Sequence, residues 1–319
     1  LARTMALKNA AAGLPMGGSK AGLKADPKAA GFEQKYRKFV RLCQPFLHEN
    51  GGPFGGFGFD IGADPVHAIW ACDELDSTRC FTGTDYDREG IAGLGVAIAG
   101  KTLIETQGED PGKCTFAVQG LGAMGAAVLR YFSETGAKLA ALGDPKYGGT
   151  WVFDNGISDD LRAALIAQNV EHATELMAKE GRQIAADAET LLYQESDILF
   201  PCAVQNVIDT HNAYEIKARF ISEGANQPVT EDAYAKLHEK GILIVPDFIA
   251  NPGGIIAAFI ELTSKADNKV QEAKDYTIKK ISENVKQMMG LSDRFGVEPV
   301  HAGQYMALSN IFFGLHKVH

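Results

Sequence analysis

Residues 115–144 constrain the fold more than any other stretch. Thr115 to Gln119 (TFAVQ) is a continuous apolar run with one polar end, the pattern of a strand buried on both faces. It runs directly into Gly120-Leu121-Gly122-Ala123-Met124-Gly125, and AAVLRYFSETG follows as a helix closed by Gly136. AKLAALGD (137–144) then reads as a second strand ending in Asp144. Strand, glycine turn, helix, strand and acid, in that order, is the context in which a GxGxxG spacing has a mechanism. Gly120 makes the tight turn, Gly122 lets backbone N–H groups approach a pyrophosphate, and Gly125 lets helix and strand pack closely. Ala123 and Met124 lie in the same turn, ahead of a helix whose N-terminus offers free donors and partial positive charge to phosphates. Asp144 lies twenty-four residues after Gly120 (144 − 120 = 24) and can accept hydrogen bonds from an adenosine ribose. Its charge favours NAD by repelling a 2′-phosphate, but Lys146 can offset that, so NADP stays open.

The rest of the chain extends the same pattern. KYGGTWVFDNGIS reads as a loop or short hairpin, and Ser158 caps a helix to about Ala178. DILFP (197–201), ARFISEG (218–224) and ILIVP (242–246) read as further strands, with a helix from Thr230 through His238 between the last two. Alternating strands and helices predict a parallel, doubly wound, Rossmann-like sheet. Its turns should line a ligand cleft at the C-terminal strand ends: Pro201-Cys202-Ala203, Glu223-Gly224-Ala225-Asn226, and Pro246-Asp247 with Asn251-Pro252-Gly253-Gly254. Beyond Gly254 the spacing predicts a long helix to about Met289 and another from Ala302 to Leu315, crossing back onto the first part of the chain.

Ahead of residue 110 the sequence is of another kind. KNAAAGLPMGGSK sets two lysines, Lys8 and Lys20, twelve positions apart (20 − 8 = 12) around a Leu-Pro and a Gly-Gly. Lys8 would end a helical turn; Pro15 and Gly17-Gly18 break it and leave room for a ligand near the backbone. Lys20 can then point into a cleft. On their own these are better read as two surface lysines beside a loop. Residues 28–48 carry Phe32, Tyr36, Phe39, Cys43 and Phe46 at helical spacing. GGPFGGFGFDIGADP follows, in which FGFD can be a short strand with Asp60 at its end, and Asp64-Pro65 starts a helix through Trp70. Residues 86–106 read as a helix in which Gly90, Gly93 and Gly95 cost stability unless something packs closely on them. Asp110-Pro111-Gly112-Lys113 is the turn into a second domain. Two domains are expected for 319 residues. Residues 1–109 with 264–319 would form an α/β substrate and oligomerisation domain, and 110–263 a dinucleotide-binding domain.

A net charge of −9 argues against nucleic acid or an anionic membrane as the main partner. Five scattered cysteines without a CxxC pair fit reduced thiols in a cytoplasmic protein, and eight histidines without HExxH or a cysteine cluster predict no metal. No apolar run reaches membrane-spanning length and none reads as a signal peptide, so a soluble cytoplasmic protein is expected. The chain opens without an initiator methionine, apparently inside a helix, which suggests that a true N-terminal part is missing.

KNAAAGLPMGGSK, FDIGAD, AVQGLGAMG, DILFPCAVQN, EGANQP and VPDFIANPGG, in this order over residues 1 to about 261, resemble the glutamate/leucine/phenylalanine/valine dehydrogenase family. The resemblance implies reversible NAD-dependent conversion of an L-amino acid to its 2-keto acid and ammonium, by a homo-oligomer. It implies that Lys8 pairs with the substrate α-carboxylate, and that Lys20 hydrogen-bonds the carbonyl oxygen and stabilises the carbinolamine. Asp60 matches the general acid/base, and Asn226 and Asn251 match asparagines near nicotinamide and substrate. Ala203, in the turn after DILFP, joins the cofactor side. The chemistry is consistent with the residue types: a fixed cation for a carboxylate, a proton carrier for attack on an iminium or keto acid, a donor for developing oxygen charge.

Two departures bear on specificity. Members acting on glutamate typically carry a serine where this chain has Ala258, in Gly253-Gly254-Ile255-Ile256-Ala257-Ala258. With Ile255 beside it, that site resembles the leucine and phenylalanine types, whereas GGTWVFDNGI, PCAVQN and EGANQP resemble the glutamate type. The family's other side-chain-binding lysine would precede KNAAAGL. A carboxylate buried against Ala258 without a partner is costly, so a neutral or apolar amino acid is expected, with glutamate as the alternative. Ala92 stands where the family often has a threonine that can bond the nicotinamide amide. Ala92 and the abrupt start also motivate a different class, a catalytically weak nucleotide-binding sensor or scaffold. A hydroxy-acid or malic-type oxidoreductase lacks its His-Asp or metal constellation.

Overall fold

The structure is a computed structural model that describes residues 2–47, 50, 56–57, 64–75 and 86–314. The chain opens with helix α1 (Ala2–Ala11), which carries Lys8 in its last turn. Helices α2 (Phe32–Cys43) and α3 (Pro65–Leu75) pack on each other around Phe32, Tyr36, Val40 and Ala71. The helix expected over 28–48 is thus shorter, beginning after Gly31 in a left-handed conformation. A short α4 (Tyr86–Glu89) precedes α5 (Ile91–Thr106). The single helix expected over 86–106 is broken at Gly90, whose φ of 66° has no place inside a right-handed helix.

Strand β1 (Thr115–Gln119), helix α6 (Ala123–Ser133) and strand β2 (Lys138–Asp144) follow as the sequence predicts. Then come β3 (Gly149–Val152), α7 (Asp159–Ile166), α8 (Val170–Glu180) and β4 (Arg182–Ala185). Ser158 does cap α7, its hydroxyl accepting from the Leu161 N–H. The helix stops at Ile166, because Gln168 turns left-handed (φ 53°) and Asn169 caps a new one. The remaining elements are β5 (Ile198–Pro201), β6 (Phe220–Ser222), α9 (Ala233–Glu239), β7 (Leu243–Val245), α10 (Asp247–Ala250), α11 (Gly253–Thr263), α12 (Lys269–Phe295) and α13 (Pro299–Ser309). Asp232, not Thr230, precedes α9, and the Thr230 hydroxyl bonds the Asp232 carboxylate instead. The long helix expected beyond Gly254 is two helices, since Ser264 turns extended and Asn268 caps α12 through the Gln271 N–H.

The sheet order is β4-β3-β2-β1-β5-β6-β7. Strands β2, β1, β5, β6 and β7 are parallel, and β3 and β4 add an antiparallel edge. One face is covered by a core that joins Phe116, Val118, Phe200 and Val245 of the strands to Leu129 and Phe132 of α6, Leu103 of α5 and Val285 of α12. The other face buries Ala117, Leu199, Ile221 and Ile244 under Leu191, Ile216 and Leu237. The sheet is therefore doubly wound, and the winding reverses between β1 and β5, which is where such sheets open a ligand crevice.

The helical glycines have the role their cost implied. A Cβ on Gly93 would meet Ala127 of α6 at 2.5 Å, and one on Gly95 would meet Ile281 of α12 at 2.6 Å. The C-terminal helices do return to the start of the chain. Asn284 Nδ2 donates to the Ala11 carbonyl at 2.7 Å, the Tyr276 hydroxyl to that of Ala12 at 3.0 Å, and Asn310 Nδ2 to that of Ala10 at 3.0 Å. These three bonds satisfy carbonyls at the open C-terminal end of α1, just beyond Lys8.

Candidate active site

The glycine turn sits at the reversal point. Gly120 has φ 82°, and a Cβ there would lie 2.8 Å from Cα of Ala203, so the turns after β1 and β5 nearly touch. A Cβ on Gly125 would fall 1.8 Å from the Gly120 carbonyl oxygen, which brings α6 down onto the strand end. Gly122 differs: among the described residues a Cβ there would meet nothing within 4 Å beyond its chain neighbours. Its missing side chain leaves open space before Ala123 and Met124 at the N-terminus of α6, where four N–H groups lack helical partners. An open cradle over free donors and a helix dipole fits a pyrophosphate.

Asp144 is more deeply engaged than a ribose ligand needs to be. It is 6% exposed, and its two carboxylate oxygens accept from the Leu121 N–H at 2.6 Å and the Lys146 N–H at 2.7 Å. Leu121 is fully buried, so Asp144 is the acceptor that lets its N–H leave water. Asp144→Ala is expected to lower stability by about 1–3 kcal/mol in urea unfolding, the cost of an unsatisfied buried donor. An unchanged midpoint would leave Asp144 with no bracing role.

The lysine loop is held from beneath. Asn9 is buried, and its Nδ2 donates to the Gly17 carbonyl at 2.8 Å. A Cβ on Gly18 would lie 2.2 Å from the Ala2 carbonyl oxygen and 2.6 Å from Ala6 Cβ. The expectation that Gly17-Gly18 leaves room for a ligand is corrected at Gly18: helix α1 takes that space. Lys20 stands exposed. Lys8 is 6% exposed, and its ammonium donates to Asn226 Oδ1 at 2.5 Å, across 218 positions of sequence. Asn226 Oδ1 also accepts from Asn251 Nδ2 at 3.4 Å, and that Nδ2 donates to the Gly224 carbonyl at 2.9 Å. Among the described residues, Asn251 Oδ1 is a buried acceptor with no hydrogen-bond partner. Lys8, Asn226 and Asn251 are thus together at the ends of β6 and β7, beside Ala203 and the glycine turn. Asp60 lies outside the described residues.

The second glycine turn closes the cleft against α5. A Cβ on Gly253 would fall 2.3 Å from the Ile91 carbonyl oxygen, and one on Gly254 would lie 3.9 Å from Ala92 Cβ. Helix α11 continues from there with Ile256, Ala257 and Ile260 in a small apolar core with Ala12, Leu14 and Ile91, while Ile255 and Ala258 are half-buried.

Three further residues belong to the site: Tyr234, which the sequence did not single out, and Glu223 and Asp247, which it placed in cleft-lining turns without a role of their own. Glu223 is fully buried; its carboxylate accepts from the Tyr234 hydroxyl at 2.7 Å and the Asp247 N–H at 2.9 Å. Burial pushes the Glu223 carboxyl well above its usual range, and neighbouring Asp247 adds to the rise; the Tyr234 bond, the Asp247 N–H and the Lys8 charge oppose it. Burial also raises the Asp247 carboxyl, against the pull of Lys8. The legible signal was an acid within two residues of the end of each of two adjacent parallel strands, in EGANQP and VPDF.

Residues 83–316 match the family described as "Glutamate/Leucine/Phenylalanine/Valine dehydrogenase", and residues 1–68 match "Glu/Leu/Phe/Val dehydrogenase, dimerisation domain". An "NADP(+)-dependent glutamate dehydrogenase" of Pyrobaculum calidifontis is 34% identical over 281 residues, covering 82% of this chain and 64% of its own length. An "NADP-specific glutamate dehydrogenase" of Saccharolobus shibatae is 32% identical, covering 88% of this chain and 69% of its own length. The chain thus spans about two thirds of the curated relatives it matches. The fold is that of the hetero-hexameric glutamate dehydrogenase of Thermus thermophilus in its Leu-bound form (TM-score 0.80, 24% identity, 100% of this chain and 78% of that one). It is also that of the L-tryptophan dehydrogenase of Nostoc punctiforme (TM-score 0.69, 22% identity, 99% of this chain and 82% of that one). The chain belongs to the glutamate/leucine/phenylalanine/valine dehydrogenase family.

Proposed function

We propose that this chain is an NAD(P)-dependent L-amino-acid dehydrogenase that interconverts an L-amino acid with its 2-keto acid and ammonium. The observation that carries this reading is the Lys8–Asn226 bond. It places a fixed cation at the C-terminal ends of β6 and β7, beside the cradle that fits a dinucleotide. When bound, the nicotinamide would supply the hydride acceptor, and the protein supplies orientation and charge. The cradle residues Gly120, Gly122, Ala123, Met124, Gly125 and Ala203 hold the pyrophosphate side, Asn226 the nicotinamide side, and Asn251 the substrate. Lys8 grips the α-carboxylate. Lys20 donates to the carbonyl oxygen as charge develops there, and Asp60 carries the proton to and from the attacking water. In this reading residues 1–109 and 264–319 hold the substrate and 110–263 the nucleotide. Helix α5 is the joint between them, since it packs on both the sheet and α12. The dimerisation match over residues 1–68 supports a homo-oligomer.

For the side chain we infer a neutral or apolar amino acid. Between Gly253 and Phe259 helix α11 offers no side-chain donor, so a substrate carboxylate beside Ala258 would lack a partner there. The names of the relatives favour glutamate as the second reading. A panel of leucine, valine, phenylalanine and glutamate with NAD and with NADP, followed by absorbance of the reduced cofactor, separates the two. Turnover of an apolar amino acid at least about tenfold above glutamate in kcat/KM is expected. Exclusive glutamate activity would overturn the role given to Ala258, and no turnover with any amino acid would return the chain to a nucleotide-binding sensor.

A further inference from the structure

A line of polar contacts runs from the strand ends to Lys8. Tyr234 donates to Glu223, and Glu223 accepts the backbone N–H of Asp247. Asp247, at the start of α10 and 4% exposed, accepts in turn from the Gln227 N–H at 3.1 Å. Gln227 has φ 50°, a left-handed conformation that side-chain-bearing residues seldom adopt. Its carbonyl accepts from the N–H of Asn206, itself at φ 57°. The residue before Gln227 is Asn226, whose amide oxygen holds the Lys8 ammonium. Two carboxyl groups buried at one point, and a strained turn fastened to one of them, are costly features for packing alone. Both carboxyls lie in the field of Lys8.

We propose that Asp247, braced by Glu223 and Tyr234, is a positioning residue for Lys8: it fastens the strained Asn226–Gln227 turn so that Asn226 presents its amide oxygen to the Lys8 ammonium. This rests on the function proposed above, in which Lys8 grips the substrate α-carboxylate. That carboxylate is the same in substrate and transition state. Misaiming Lys8 therefore weakens both equally, raising KM and sparing kcat.

Asp247→Ala and Asp247→Asn, assayed in the full chain at saturating dinucleotide, test the role. Asp247→Ala is expected to raise the amino-acid KM at least about tenfold with kcat within about threefold. Asp247→Asn keeps an acceptor for the Gln227 N–H and should recover most of that loss. A wild-type KM in Asp247→Ala, a defect confined to kcat, or equal defects in both variants would overturn the proposal. A second measurement needs no turnover. Lys8→Met, Asp247→Ala and the double variant are compared by urea unfolding without ligand. Their effects on the unfolding constant should fall short of multiplicative by at least about fivefold, as residues in one network do. Independent effects would overturn the link. An inactive wild type with this coupling intact would sink the proposed function and leave the link standing.

Discussion

Replacing Lys20 with alanine is expected to lower amino-acid turnover by about 10²–10⁴-fold while leaving the thermal midpoint near that of the parent. The side chain is exposed, so truncation opens no cavity in the core. The loop that carries it is held by Asn9 on Gly17 and by Gly18 against α1. Steady-state kinetics beside a melting curve check both halves of this expectation. Activity within about tenfold of the parent would remove Lys20 from the chemistry. Lys8 makes the useful contrast. It is buried and bonded to Asn226, with Glu223 and Asp247 nearby. Lys8→Ala should therefore lose stability as well as substrate binding, because it leaves buried acids without their cation. Asp60→Asn should match Lys20→Ala in turnover if its role is the one the resemblance implies.

Gly125→Ala is expected to abolish dinucleotide binding. The added Cβ would lie 1.8 Å from the Gly120 carbonyl oxygen, far inside contact distance, and the obstacle is backbone. Helix α6 must move off β1 or the turn at Gly120 must open. Either shift displaces the N–H groups of the cradle, where a misplacement of about 1 Å can cost about 10²-fold. Overpacking adds about 1–3 kcal/mol of lost stability. Fluorescence titration with reduced cofactor reads the first effect, and urea unfolding the second. Gly122→Ala is the control: among the described residues its Cβ meets nothing within 4 Å beyond its chain neighbours, so stability should hold. Loss of cofactor affinity in that variant would place the ligand directly over Gly122.

How much of this was legible in the sequence depended on how local the deciding interaction is. Strand β1, the glycine turn, α6 and β2 were readable because apolar continuity, glycine spacing and a helix pattern are adjacent in the chain. The breaks at Gly90, Gln168 and Ser264 were not, since a left-handed residue or a cap within an otherwise helical pattern leaves the periodicity almost unchanged. Asp144 could be assigned to a ribose from its distance to Gly120; that both its oxygens face backbone N–H groups required the folded turn. Lys20 and Gly18 went the same way: the pattern GGSK suggested space, and the packing of α1 filled part of it.

From the linear chain come the sheet class, the glycine turn between β1 and α6 and the pair of lysines around Gly17-Gly18, because each rests on residue types at short, fixed spacings. Only the tertiary structure shows that Lys8 meets Asn226 across 218 positions, and that Glu223 and Asp247 lie buried beside that meeting point. Neighbouring strands of a parallel sheet are far apart in sequence, so which strand ends converge on a given lysine follows from strand order and helix packing. Burial then sets the chemistry there, since the same carboxyl group is an ordinary surface acid or a strongly perturbed one according to how much water reaches it.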